Sequence, residues 1–117
     1  TLGQNTADRV NKTLENGGRV VAVGTSAVRA LETSAIRRGG SGDYRVAAGS
    51  EMTELFIKPG YNFRVVRGVL TNFHMPGSTT LVLAAAFAGV ARIKETYEDA
   101  KEAGYRFCSF GDAMVIL

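Results

Sequence analysis

A short apolar run that passes through one glycine directly into an amphipathic segment is the feature that most constrains how this chain can fold. Residues 19–23 are almost all apolar, which is typical of a short strand buried on both faces in a parallel sheet. Gly24-Thr25-Ser26 then predicts a tight turn into a helix. Apolar residues recur at helical spacing on both sides of the run, at Ala7, Val10, Leu14, Val28, Leu31 and Ala35. The helix–strand–helix order predicts an α/β fold, a layered sheet with flanking helices.

Further apolar runs continue this pattern along the chain. Glycine and proline separate them and predict strands at 55–57, 63–66 and 69–73. Residues 37–50 predict a loop with a short strand at 44–47. We expect residues 20–23 and 69–73 to be inner strands of a three-layer arrangement.

Two helices are predicted in the second half of the chain. Residues 78–88 are apolar on nearly all sides, which indicates a central helix capped by Ser78. A second helix follows Gly89, with Ile93, Tyr97 and Ala100 on one face. The side chains expected to be largely buried include Leu31, Phe73, Leu83 and Phe87.

Composition limits the class of protein. The 117 residues suffice for one domain, and 45% hydrophobic with 21% charged residues is typical of a soluble globular protein. The net charge of +3 is compatible with an anionic partner. Cys108 is the one cysteine, which favours a reducing, cytoplasmic location, and one His with one Cys cannot form a zinc site. No apolar run is long enough to predict a membrane span or a membrane partner. A start without methionine and an apolar final strand predict a piece of a longer protein.

The segment 70–79 holds the single histidine, His74, where a strand runs into a Pro-Gly turn. A histidine titrates near neutral pH and is therefore a proton-transfer candidate. If the strand continues to His74, Asn72 and His74 share one face while Thr71 and Phe73 share the other. The alternative is a histidine at the core edge whose ring bonds a nearby carbonyl.

The Gly24-Thr25-Ser26 turn can also bind an anion, because a helix start presents unpaired N–H groups and a positive dipole end. Arg29 lies in the first helical turn, where a cation opposes that dipole unless an external carboxylate or phosphate is present. The alternative is that Thr25 or Ser26 caps the helix and Arg29 pairs with Glu32.

Two loops carry weaker signals. Tyr61 is predicted to be exposed in a rigid turn beside basic residues, where it could stack on a base, although a packing role is the alternative. Residues 105–112 combine aromatic side chains with Arg106, Ser109 and Asp112 around a glycine. Asp112 or Ser109 can bind a ligand there, or Asp112 can be a turn residue.

Taken in order, these segments resemble one family, the S-adenosylmethionine:tRNA ribosyltransferase-isomerases of queuosine biosynthesis. The resemblance rests on Val23–Glu32, on Thr53 with 55–57 and 59–61, on Leu70–Pro76 with Ser78 and Thr79, and on 105–107 with 109–114. It covers most of this chain but only about the C-terminal third of the family's length. Residues 1–117 of this chain thus resemble the C-terminal part of the family's large α/β domain, without the upstream part or the small barrel domain. One position departs from the family pattern, because Gly77 stands where lysine is usual.

The resemblance implies a reaction. The ribosyl part of S-adenosylmethionine moves onto a 7-aminomethyl-7-deazaguanine wobble base of tRNA and is isomerised, while adenine and methionine leave. S-adenosylmethionine is then a co-substrate, no metal is implied, and the tRNA anticodon stem-loop is the partner. The implied catalytic residues are His74, Asn72 and Asp112, and the implied substrate-binding residues are Gly24, Thr25, Ser26, Arg29, Thr71, Tyr61, Arg106 and Ser109.

The same residues are compatible with two other functions. A non-catalytic α/β nucleotide- or RNA-binding module would use the same helix start and the Tyr61 loop without needing His74. A purely structural fragment would bind no ligand tightly. Because the N-terminal part of the family is absent, the piece is also expected to expose apolar surface and to self-associate.

Overall fold

The strand and helix predicted around Gly24 both form in the computed structural model, which describes residues 1–38 and 43–117. The helices are α1 (Gln4–Glu15), α2 (Thr25–Thr33), α3 (Thr79–Ala88) and α4 (Val90–Glu102). The strands are β1 (Val20–Val23), β2 (Ala35–Arg38), β3 (Asp43–Val46), β4 (Val66–Asn72) and β5 (Ala113–Ile116). The loop predicted at 37–50 includes 39–42, which lie outside the described residues, and the strand predicted at 44–47 forms as β3.

β4 is the middle strand of a three-stranded mixed sheet. β1 runs parallel to it, with Val23 opposite Leu70, and β5 runs antiparallel, with Leu70 opposite Val115. β2 and β3 form a separate antiparallel pair. The strand predicted at 55–57 does not form, and residues 63–65 precede β4 as irregular backbone.

The helices cover one face of this sheet. Val20, Ala22 and Val69 point into a core that α1 and α2 complete. The alternate residues of β1, Val21 and Val23, are 43% and 71% exposed. The α/β class with flanking helices is therefore confirmed. The predictions that residues 20–23 form an inner strand and are buried on both faces are wrong. Among the described residues β1 is an edge strand of this sheet, and no third layer covers the opposite face.

α3 and α4 follow the sequence signals closely at their ends. The Ser78 hydroxyl accepts a hydrogen bond from the Leu81 N–H at 3.2 Å, which confirms the predicted cap. Ile93, Tyr97 and Ala100 of α4 are buried as predicted.

Of the four side chains predicted to be largely buried, three are buried and one is not. Leu31, Leu83 and Phe73 are buried, whereas Phe87 is only partly buried and stacks on Phe63 with ring centroids 3.9 Å apart. Only three residues of α3 are buried, so the helix is not central despite its apolar composition.

Candidate functional site

The carboxyl ends of β1 and β4 lie side by side and bring two predicted segments together. Because the strands are parallel and Val23 lies opposite Leu70, the chain leaves β1 and β4 at the same edge of the sheet. The Gly24 N–H donates to the Leu70 carbonyl at 2.8 Å, which joins the start of α2 to the strand that leads to His74. This edge is where an open α/β sheet commonly binds its ligand.

His74 is held by two hydrogen bonds. Its Nε2 lies 2.9 Å from the buried Thr71 hydroxyl, and its backbone N–H donates to the Tyr97 hydroxyl at 2.8 Å. No hydrogen bond to Nδ1 is found within residues 1–38 and 43–117. With Nε2 donating to Thr71, the Nδ1 lone pair is left to accept a proton.

Asn72 does not share the environment of His74. β4 ends at Asn72, so the alternation of a strand stops before His74 and the predicted pairing of the two side chains is wrong. The Asn72 amide instead donates to the carbonyls of Asp112 at 3.3 Å and Gly111 at 3.5 Å. Asn72 therefore ties the end of β4 to the loop before β5.

Partial burial lowers the pKa of His74 below its usual 6.5, because burial disfavours the charged imidazolium. The ring is therefore neutral at neutral pH, which is the form that can accept a proton. A neutral imidazole held in one orientation is what general-base catalysis requires.

As the pH falls from about 6.5 towards the depressed pKa of His74, the free energy of unfolding of the wild type is expected to decrease. His74→Gln has no imidazole to titrate and should not show this decrease. The unfolded chain takes up a proton at the ordinary pKa, whereas the folded chain resists it, so acid favours unfolding within this window. Above the window both states are neutral and the effect disappears. Urea unfolding of both proteins from pH 5 to 7.5 checks this, and equal pH slopes would contradict it.

A cleft of about 270 Å³ lies where the starts of α2 and α3 meet. Gly24 immediately precedes α2 with φ +88°, a left-handed conformation that glycine adopts without strain, and no side chain caps the helix. The interpretation in which Thr25 or Ser26 caps α2 is therefore wrong. The cleft is lined by Thr25, Ser26, Arg29, Thr79, Thr80, Leu83 and residues 54–57. Two helix starts, several hydroxyls and Arg29 thus border one space and favour an anion, while Glu54 contributes one acidic residue to the same lining.

Arg29 forms one wall of this cleft. Its guanidinium donates to the carbonyls of Leu55 at 3.2 Å and Thr53 at 3.3 Å. The alternative in which Arg29 pairs with Glu32 is wrong, because Glu32 points into the core. Arg29 therefore anchors the segment before Ile57 while its charge remains beside the helix starts.

Glu32 is the residue that the sequence reasoning missed. It is fully buried and accepts hydrogen bonds from the N–H groups of Arg64 at 2.8 Å, Val65 at 2.9 Å and Val66 at 2.8 Å. The Tyr61 hydroxyl donates to it at 3.0 Å. The sequence feature that indicates its burial is its position next to Leu31, on the apolar face of a predicted helix. Such a group needs several donors when it is buried.

Tyr61 is half-buried, so the prediction that it is exposed is wrong. Burial and the neighbouring Glu32 carboxylate raise the pKa of Tyr61 to about 12, and its ring packs edge-on against Phe63. It lies before the amino end of β4, whereas His74 lies beyond the carboxyl end. The structure does not bring Tyr61 to the His74 segment, and its geometry is that of a packing residue.

The loop over residues 105–112 is closed by Asp112 and lies beside the end of β4. The Asp112 Oδ2 accepts from the Arg106 N–H at 2.7 Å, and the Asp112 N–H donates to the Arg106 carbonyl at 2.8 Å. Cys108 N–H donates to the Phe73 carbonyl at 2.8 Å. Arg106 and Ser109 are exposed on this loop. Asp112 thus acts as a turn residue within reach of the His74 segment.

Gly77 has a structural reason to be glycine here. Its φ is +77°, in the left-handed region that a lysine would occupy only with strain. The departure from the family pattern therefore matches the turn that this chain makes between His74 and Ser78.

Two kinds of feature are missing from the part of the chain that the structure describes. No group of three His, Cys, Asp or Glu side chains there is arranged to hold a metal ion. No helix among those residues has both the length and the apolar character needed to cross a bilayer.

Comparison with known proteins identifies the family. The model of a family described as queuosine biosynthesis protein matches residues 1–116. An S-adenosylmethionine:tRNA ribosyltransferase-isomerase of Paraburkholderia xenovorans is 51% identical over 98% of this chain, and one of Heliobacterium modesticaldum is 50% identical over 95%. The chain spans about a third of these relatives, 32% and 31%.

A solved structure supports the same conclusion. The crystal structure of an S-adenosylmethionine tRNA ribosyltransferase from Thermotoga maritima matches with a TM-score of 0.83 and 44% identity, covering 99% of this chain and 39% of that one. Sequence and fold agree over nearly the whole chain, and the chain therefore belongs to the queuosine biosynthesis protein family.

Proposed function

We propose that this chain is the C-terminal part of the large α/β domain of an S-adenosylmethionine:tRNA ribosyltransferase-isomerase that works in the cytoplasm. The reaction moves the ribosyl moiety of S-adenosylmethionine onto the 7-aminomethyl-7-deazaguanine wobble base of tRNA and gives epoxyqueuosine. One observation carries the assignment of chemistry to this part. A neutral histidine, fixed by Thr71 and Tyr97, lies at the same sheet edge as the uncapped start of α2.

The proposed first step is removal of a proton from the ribose carbon next to the sulfonium of S-adenosylmethionine. The positive sulfur acidifies that carbon, so a base with a near-neutral pKa suffices. The C–H electron pair stays on the carbon as the proton passes to His74 Nδ1. Thr71 orients the ring through Nε2, and Asn72 holds the neighbouring loop in place.

The cleft at the helix starts is proposed to bind the methionine carboxylate of the co-substrate. The first N–H groups of α2, the hydroxyls of Thr25 and Ser26 and the charge of Arg29 all favour an anion there. Asp112 Oδ1 is assigned to a sugar hydroxyl or to the substrate ammonium, since Oδ2 is already bonded to Arg106. Arg106 and Ser109 are exposed on the same loop and are assigned to substrate contacts.

The test is a turnover assay in a full-length chain, made by joining this sequence to the remaining part of the Paraburkholderia xenovorans relative. S-adenosylmethionine and a tRNA anticodon stem-loop bearing the deazaguanine base are supplied, and the modified nucleoside is identified by mass spectrometry. Epoxyqueuosine formation supports the proposal. Folded protein that binds the stem-loop in a salt-sensitive way without turnover would instead indicate a nucleic-acid-binding module.

Arg29→Ala in that full-length protein is expected to raise the apparent KM for S-adenosylmethionine by about 10–100-fold, with kcat changed only a few-fold. A carboxylate clamp holds substrate and transition state alike, so its loss weakens binding more than it slows chemistry. Steady-state kinetics measures both constants. Arg45→Ala is the matched control, because Arg45 is an exposed arginine on β3 away from the cleft. A fall in kcat at unchanged KM would contradict the clamp.

A further inference from the structure

The face of the sheet opposite the helices is apolar and exposed. Val23, Leu70 and Val115 form a row across the three strands and are 71%, 37% and 56% exposed. Val21 and Leu117 flank Gly68 in the adjacent row and are also exposed. The solvent-facing side of a sheet normally carries polar residues, whereas every side chain in these two rows is aliphatic. We call this surface, formed by Val21, Val23, Leu70, Val115 and Leu117, the outer sheet face.

The sheet is also open at its sides. In the described part of the chain β1 and β5 each pair only with β4, so each presents an edge without a partner strand. α3 carries an apolar sequence on nearly all sides but buries only three residues. An exposed apolar sheet face together with two open strand edges indicates that another segment packs on this sheet.

The relatives indicate what covers this face. The chain accounts for 32% of the Paraburkholderia xenovorans relative, so roughly two thirds of that polypeptide has no counterpart here. In the Thermotoga maritima structure the same fold forms 39% of a longer chain. Family members thus carry this fold together with a segment large enough to supply a third layer.

We propose that the outer sheet face is the docking surface for the polypeptide that corresponds to the remaining two thirds of the family's length. The contact is apolar at its centre, with Leu70 of the middle strand flanked by Val23 and Val115. Docking there completes the missing third layer and protects the open edges of β1 and β5. The inference concerns assembly and does not depend on the reaction proposed above.

The test measures association with the complementary segment, namely the part of the Paraburkholderia xenovorans relative that this chain does not match. The chain and the segment are co-expressed, and the affinity of the purified pair is measured by sedimentation. Leu70→Glu and Val23→Lys are each expected to weaken association at least tenfold. Met52→Glu is the matched control, because Met52 is 97% exposed and lies away from the sheet, and it should leave affinity unchanged.

Folding is checked by thermal unfolding of each variant, and Val23→Lys keeps the test valid if Leu70→Glu does not fold. Equal affinity of wild type, Leu70→Glu and Val23→Lys would place the docking surface elsewhere and overturn the proposal. Failure of the folded chain to bind the segment would also overturn it. A stable dimer of the chain that excludes the segment and dissociates on Leu70→Glu would show that a second copy occupies the face.

Discussion

His74→Ala in a full-length chain is expected to lower kcat for ribosyl transfer by about 10²–10⁴-fold, the usual contribution of a general base. The affinity for S-adenosylmethionine should stay nearly intact, because a proton-transfer group acts mainly in the transition state. The imidazole is oriented by Thr71 and kept neutral by burial, and Tyr97 holds the backbone of His74, so the substitution removes a base that is already positioned. Steady-state kinetics with a tRNA anticodon stem-loop, together with equilibrium binding of S-adenosylmethionine, measures both quantities.

Thr71→Val supplies an intermediate case for the same experiment. It keeps the base but removes the hydroxyl that orients Nε2, so a smaller loss of kcat than that of His74→Ala is expected. The acidic limb of the kcat/KM pH profile should remain in Thr71→Val and disappear in His74→Ala. Turnover of His74→Ala within a few-fold of wild type would make His74 structural and remove the proposed mechanism while leaving the family membership intact.

Local signals made much of the fold predictable. Gly24 marks the passage from β1 to α2, Ser78 caps α3, and Tyr97 lies on the buried stripe of α4. Each of these features depends on residues within one or two turns of the chain, which a single sequence contains.

The failures arise where distant residues decide the outcome. Residues 63–65 look like a strand, yet the N–H groups of residues 64–66 donate to the Glu32 carboxylate, some thirty residues earlier in the chain. β2 was not predicted because its apolar positions continue the pattern of α2, and only its pairing with β3 makes it a strand. The apolar run of β1 predicts burial on both faces, but among the described residues no element packs on its second face.

In the candidate site, too, the features set by neighbouring residues were predictable and the contacts set by the folded backbone were not. The sequence identifies His74 and the turn after it, because a lone histidine before Pro-Gly is visible directly. It assigns the wrong neighbour, because strand alternation predicts Asn72 beside His74 whereas the backbone turns after Asn72 and brings the ring to Thr71. Tyr61 has the composition of a stacking residue but is turned inward by Glu32. A side chain's partner therefore requires the structure, even where its identity is evident.

Glu32→Ala is expected to lower the free energy of unfolding by about 3–5 kcal/mol, a large part of the roughly 5–15 kcal/mol typical of a domain. Glu32 lies fully buried and accepts from three backbone N–H groups and the Tyr61 hydroxyl. Truncation leaves these donors without their acceptor, and each buried donor left unpaired costs about 1–3 kcal/mol before water or relaxation compensates. Urea unfolding measures the change.

Glu32→Gln and Glu95→Ala make this prediction specific. Glutamine keeps one acceptor oxygen but directs an NH₂ at the remaining donors, so an intermediate loss is expected. Glu95 is an exposed glutamate on α4, and its removal should change stability by no more than about 0.5 kcal/mol. Glu32→Gln also removes the negative charge beside Tyr61, so the pKa of that phenol should fall from about 12 in an ultraviolet titration. If Glu32→Ala unfolds at the same urea concentration as Glu95→Ala, the carboxylate does not organise the backbone before β4. The link from the end of α2 to the strand that carries His74 would then have to lie elsewhere.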